Sequence, residues 1–95
     1  MAYTPDFSWS KRALVPSMKE YDSLYKRSVE DPDGFWAEQA RGRLDWDHDF
    51  HTVRDADFGS GSIGWFLGGK LNAAYNCVDR HAGERGDQVA ILWEG

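Results

Sequence analysis

The stretch QVAILW, at positions 88–93, constrains this chain more than any other. Five consecutive apolar residues without alternation predict a strand covered on both faces, because a strand with one wet face alternates polar and apolar side chains. Both hydrogen-bonding edges of such a strand need neighbours as well, since unpaired backbone groups beside apolar surface invite edge-to-edge association. The chain has only 95 residues with which to supply that cover. A domain of this size buries roughly two-thirds of the surface its unfolded chain exposes. A marginal core is expected, with the strand's full cover lying beyond Gly95.

Upstream of that run the signals are mostly helical. Positions 1–16 mix aromatics with Pro5 and Pro16 without a period and read as an extended arm. Ser17 and Glu20 form an S-x-x-E capping box, and Met18, Tyr21, Leu24 and Tyr25 follow on one helical face that ends near Asp31. Asp31 followed by Pro32 opens a second helix lined by Phe35, Trp36, Ala40 and Leu44. Alternation through Leu44, Trp46, His48, Phe50 and Thr52 suggests an extended segment with Asp45, Asp47, Asp49 and His51 on its other side. FGSGSIG reads as a flexible loop, and SIGWFLGG as a short strand with a Gly-Gly turn. Asn72 caps a third helix whose stripe is Leu71, Ala74, Tyr75, Val78 and Ala82, stopped by Gly83 and Gly86. No repeat or internal domain boundary is evident.

Five tryptophans and an aromatic content of 15% are high for the length. Large aromatic rings favour burial against a partner surface. The net charge is -5, with no basic run interleaved with aromatics, which argues against nucleic acid and anionic membranes as partners. One cysteine, Cys77, cannot close an internal disulfide and fits a reducing compartment. No apolar stretch has the length of a signal peptide core or membrane span, so a cytoplasmic location is expected.

The chemical motifs are weak. Gly59, Gly61 and Gly64 match G-x-G-x-x-G, yet no buried strand precedes them and WFLGG cannot open a helix. Gly64 to Lys70 matches the start of a P-loop, but Leu71 stands where magnesium needs a Ser or Thr. Counted from Asp45, the glycine and glutamate positions of a calcium loop hold Phe50 and Ala56, so DWDHDFH reads as a solvated acidic face. His48 and His51 offer at most an adventitious zinc or nickel site. Cys77 and His81 lie four apart without a third ligand or base, which favours packing. No G-x-S-x-G elbow is present. No catalytic, cofactor-binding or metal-binding residue is assigned.

The spaced pattern of Trp65, Phe66, Gly68, Gly69, Leu71, Asn72, Asn76, Cys77, Asp79, Arg80, His81, Gly86, Asp87, Ala90, Ile91, Trp93, Glu94 and Gly95 resembles the segment before the nucleotide-binding core of AMP-forming acetyl-CoA synthetases. Tyr21, Leu24, Tyr25, Ser28, Val29, Pro32, Phe35 and Trp36 extend the resemblance upstream. Synthetases for propionate and related short acids share much of it.

The resemblance implies an α+β piece of a larger α/β adenylate-forming enzyme, with about three helices and a few short strands. Positions 17–95 would be the synthetase segment, and the missing adenylation domain its partner. The parent would use ATP, magnesium and CoA to turn acetate into an acyl-adenylate and then acetyl-CoA. Its Ser/Thr/Gly-rich phosphate loop and catalytic lysine have no counterpart in this sequence, so this segment is expected to be structural and inert by itself. Gly95 reads as a truncation point. Asn72 is expected to act as a cap, and Asp79 and Arg80 as hydrogen-bonding or ion-pairing residues toward the missing body. The competing expectation is a free-standing, aromatic-rich interaction module.

Overall fold

The computed structural model describes residues 7–95. The chain divides into two units, 1–38 and 39–95, each described by itself. This division runs through a helix that the sequence reading left undivided. The architecture is α+β, as expected: helices α1 (Phe7–Ser10), α2 (Met18–Glu30), α3 (Pro32–Arg43) and α4 (Arg80–Arg85), strands β1 (Thr52–Asp57) and β2 (Ser62–Leu67), and a π-helical segment at Tyr75–Asp79. No described helix is long and apolar enough to cross a membrane.

In the first unit, α1 is one helical turn inside the stretch expected to be extended, and residues 1–6 of that stretch lie outside the described residues. The capping box forms at α2: Ser17 Oγ accepts the Glu20 amide at 3.2 Å, and the Ser17 hydroxyl faces Glu20 Oε2 at 3.4 Å. Asp31 then serves two helices. Its amide donates to Arg27 O at 2.9 Å, closing α2, while its carboxylate accepts the Gly34 amide at 3.1 Å, opening α3. Pro32 makes the break sharp, because its ring disfavours a helical residue before it. Arg27 reaches from α2 to Glu38 of α3 in a two-pronged pair and lies 5.8 Å from the Phe35 ring centroid. That hydrogen bond from Arg27 holds the Glu38 carboxyl below its ordinary range. The expected apolar face of α2 exists, yet Met18, Tyr21, Leu24 and Tyr25 are all exposed.

In the second unit, β1 and β2 pair antiparallel with Arg54 opposite Trp65 and Ala56 opposite Ile63. The four residues 58–61 make the turn, so the expected flexible loop is a tight hairpin end. Asp57 explains its shape: Oδ1 accepts the Gly59 amide at 2.9 Å, the Ser60 hydroxyl reaches the Asp57 carbonyl at 3.3 Å, and Gly61 takes φ +73°. Bonding from Ser60, then from the Gly59 amide, also lowers the Asp57 carboxyl's pKa. The ladder continues past a register shift to His48 and Lys70, where His48 N donates to Lys70 O at 3.1 Å and Lys70 N returns to His48 O at 2.9 Å. The extra residue on the 48–52 side is the geometry of a bulge.

One sequence expectation fails here and another holds in part. Residues 88–93 form no strand, and Val89, Ile91, Leu92 and Trp93 are 66%, 84%, 90% and 86% exposed. Among the described residues the one sheet is β1 with β2, and neither strand pairs with this run; a strand without a neighbour leaves its backbone groups unpaired. The third helix does not stop at Gly83 either. It runs through 73–85 and ends with Gly86 as the cap.

Candidate functional site

Chemistry-bearing side chains meet most densely where the 73–85 helix lies against residues 43–46. Asn72 caps the helix, its Oδ1 accepting the Tyr75 amide at 3.0 Å, as its position after Leu71 predicts. Asn76 is 5% exposed, the most buried polar residue described. Its Oδ1 accepts the Asp45 amide at 2.8 Å, and its Nδ2 donates to Asp45 O at 2.9 Å and Asn72 O at 3.0 Å. The amide thus pairs with both backbone groups of one residue, as a neighbouring strand would. One turn on, Arg80 donates to Arg43 O at 3.0 Å and lies 3.6 Å from Asp45 Oδ2. Arg80 therefore finds its partners inside this segment, and no missing body is required to pair it. Asp79 is exposed.

The helix winds as a π-helix at Tyr75–Asp79, where the Arg80 amide donates to Tyr75 O five residues back. This widening turns the expected stripe: Asn76 is inward, while Tyr75 and Val78 face out.

A second cluster fixes the hairpin. Phe50, 4% exposed, sits 5.2 Å from Trp46 and 5.0 Å from Phe66, and Trp46 lies 5.8 Å from Phe66. Arg41 covers the Phe50 ring at 4.2 Å while its Nε bonds both Asp49 oxygens, at 3.1 and 3.0 Å. Trp46 Nε1 donates to Ala40 O at 3.1 Å, so the half-buried indole is satisfied. Phe66 holds φ +50°, a left-handed conformation that costs a non-glycine residue roughly 1–2 kcal/mol. Its ring contacts offset that strain, each contributing on the order of 0.5–1.5 kcal/mol.

These contacts engage residues of the acidic and histidine motifs. Asp45 and Asp49 are engaged by Arg80 and Arg41, and among the described residues no three His, Cys, Asp or Glu side chains gather as a metal site. His48 Nδ1 turns to Asp49 O at 2.9 Å and His51 Nδ1 to Thr52 Oγ1 at 2.9 Å, so the two imidazoles bond locally. Gly64 lies within β2 and Lys70 in a bridge to His48, so the residues of both glycine patterns from Gly64 on are strand and bridge instead of an anion-cradling loop. Cys77 is exposed, and His81 Nε2 meets Arg80 Nε at 3.4 Å.

Exposed apolar surface remains. One hairpin face, with Ala56, Phe58, Ile63 and Trp65, lines a cleft of about 460 Å³. A second cleft of about 440 Å³ lies between the helix face at Cys77, Val78 and Ala82 and the chain at Val89 and Ala90. Surfaces of this kind on a protein mark contact with another.

Comparison with known proteins shows what the chain as a whole is similar to. Residues 21–77 match the family described as acetyl-coenzyme A synthetase N-terminus. The chain is 50% identical over 93 residues to acetyl-coenzyme A synthetase of Magnetococcus marinus, covering 98% of this chain and 14% of the relative. It is 52% identical over 89 residues to that of Syntrophus aciditrophicus, covering 93% and 13%, and 54% identical over 76 residues to acetyl-coenzyme A synthetase 2 of Pseudomonas aeruginosa, covering 80% and 12%. The chain thus spans 12% to 14% of the length of these relatives.

Proposed function

The chain belongs to the acetyl-coenzyme A synthetase N-terminus family, and from that premise we propose that it is the amino-terminal packing segment of an AMP-forming acetate–CoA ligase. The whole enzyme would join acetate to ATP as acetyl-adenylate, releasing pyrophosphate, and then pass the acetyl group to CoA with release of AMP. ATP, magnesium and CoA would be held by the adenylation domain and the carboxy-terminal domain, and the reaction would run in the cytoplasm. Residues 17–95 act as a clasp on that larger body, with 1–16 as a leading arm.

The observation that carries this reading is identity of 50% across 98% of the chain to an enzyme of that name. The local chemistry agrees with a structural role. Asn72, Asn76 and Arg80 spend their hydrogen bonds on neighbouring backbone, leaving the aromatic faces as the outward-directed feature.

A chimera tests it. With residues 1–95 in place of the matching residues of the Magnetococcus marinus enzyme, acetate-dependent formation of acetyl-CoA is expected, whereas the 95-residue chain alone shows no micromolar binding of ATP or CoA by isothermal titration. Micromolar ATP binding to the isolated chain, or a soluble chimera without ligase activity, overturns the proposal.

A further inference from the structure

Asp33 and Gly34 are the chain's one Asp-Gly pair, and they lie in the first turn of α3. Such a pair is chemically weak, because glycine has no Cβ to shield its backbone nitrogen from the preceding carboxyl. We infer that Asp33–Gly34 is a site of spontaneous isoaspartate formation, and that the Asp31 carboxylate holds the reaction in check by capping the attacking amide.

The capping geometry explains why a glycine stands there. Asp31 immediately precedes α3, and its Oδ1 accepts the Gly34 amide at 3.1 Å, a donor of the kind that a helix's first turn leaves without a backbone partner. Phe35 N donates to the Asp31 carbonyl at 2.9 Å and fixes the same turn. A Cβ on residue 34 would overlap Asp31 Oδ2 and come within 2.8 Å of its Cγ, so a side chain there would displace the capping carboxylate. The close approach that seats the cap therefore requires glycine, and glycine after Asp33 is what makes the peptide reactive. The same carboxylate requires the weak pair and restrains it.

The reaction is internal and redox-neutral. Gly34 N bonds to Asp33 Cγ, and a carboxyl oxygen leaves as water with the amide proton and the carboxyl proton, closing a succinimide. Water then opens the ring. Addition at Cγ restores aspartate, whereas addition at the Asp33 α-carbonyl leaves the main chain running through Cβ and Cγ with the α-carboxylate as the side group. Closing the ring needs Gly34 N turned toward Asp33 Cγ, a rotation that the helical backbone and the bond to Asp31 both oppose, so reaction proceeds through local opening of the first turn. Asp33 is exposed, and the chemistry uses residues 31–35 and water alone. Isoaspartate lengthens the main chain by one carbon, which carries Gly34 N away from the cap and loosens the corner between α2 and α3.

Incubation of the 95-residue chain at neutral pH tests this, with isoaspartate located by peptide mapping and by methyl transfer from S-adenosylmethionine by an isoaspartyl carboxyl methyltransferase. Isoaspartate is expected at residue 33, preceded by a succinimide peptide lighter by one water. Asp31→Ala is expected to raise its rate about fivefold, the shift toward the open turn that loss of a typical cap produces. Asp31→Asn, whose side-chain oxygen also caps, is expected to keep the original rate. Should Asp31→Ala fail to fold, the second measurement is the unsubstituted chain in guanidinium chloride, where residue 33 is expected to react faster than in the native chain. Absence of isoaspartate at residue 33 in both native and denatured chain overturns the site. An unchanged rate in folded Asp31→Ala, or equal rates with and without denaturant, overturns the restraint by Asp31.

Discussion

A side-chain amide that accepts from one residue's N–H and donates to the same residue's carbonyl acts as a rung of a sheet, and Asn76 does this to Asp45. Asn76→Leu keeps the branched shape but leaves both Asp45 backbone groups without that partner, each orphaned group costing about 1–3 kcal/mol. A loss of about 2–5 kcal/mol in urea unfolding of the chain is expected; a loss under ~0.5 kcal/mol, within the range of a neutral surface change, would refute the assignment. Asn76→Asp should not rescue it, because a carboxylate would face the Asp45 and Asn72 carbonyls. Gly69 makes a separate prediction. A Cβ there would sit 2.6 Å from the Trp46 ring and 3.0 Å from Phe66 O, so Gly69→Ala forces the indole out of its packing. Overpacking of this kind costs typically 1–3 kcal/mol, and an unchanged tryptophan fluorescence maximum with unchanged stability would refute it. Neither role was legible beforehand. An asparagine between Tyr75 and Cys77 reads as solvated on a regular helix, and only the π-helical turn brings it inward.

At the scale of elements, legibility follows the range of the forces involved. Capping at Ser17, Asp31 and Asn72 acts within three residues, and all three caps stand where the sequence places them. β2 with its Gly-Gly turn was readable too, since Gly68 needs its φ of +80°. β1 was not. Arg54, Asp55 and Asp57 break its apolar pattern, and its strand character comes from pairing with β2 across the Asp57 turn. The same helices and turn predict a dependence on acid. The Glu38 carboxyl is depressed by Arg27, and that of Asp57 by Ser60 and the Gly59 amide. A depressed carboxyl contributes stability fully above its unfolded pKa, about 4.3 for Glu and 3.9 for Asp, and loses it as pH falls through the lower folded value. Helical circular dichroism should therefore weaken below about pH 4, with Glu38→Gln flattening part of that slope. Because both side chains of the Arg27–Glu38 pair are exposed, the effect should be small and shrink with added salt. A slope unaltered by both Glu38→Gln and salt would remove the pair from the explanation.

For the molecule as a whole, the family was legible because a long spaced pattern that includes Asn72, Asn76, Arg80 and Trp93 resembles the family's, where local propensity says little. What propensity says about residues 88–93 is that they want to be a strand, and the surroundings needed to make one are not within the described chain. The burial of an Ile or Leu side chain contributes about 1.5–3 kcal/mol, so Ile91, Leu92 and Trp93 together represent a large fraction of a small domain's stability of roughly 5–15 kcal/mol. Left exposed beside unpaired backbone, they form the edge most able to recruit another copy. The charge of -5 opposes association, but that repulsion is screened over about 8–10 Å at physiological salt, while strand pairing acts at contact. Sedimentation velocity of the 95-residue chain should therefore show mass rising with concentration, more steeply at 0.5 M than at 0.05 M NaCl, and Leu92→Lys should return it toward the monomer by placing a charge on the pairing strand. A monomer at every concentration and salt, with protected amides at 89–93, would mean that this segment satisfies its own strand within the 95 residues.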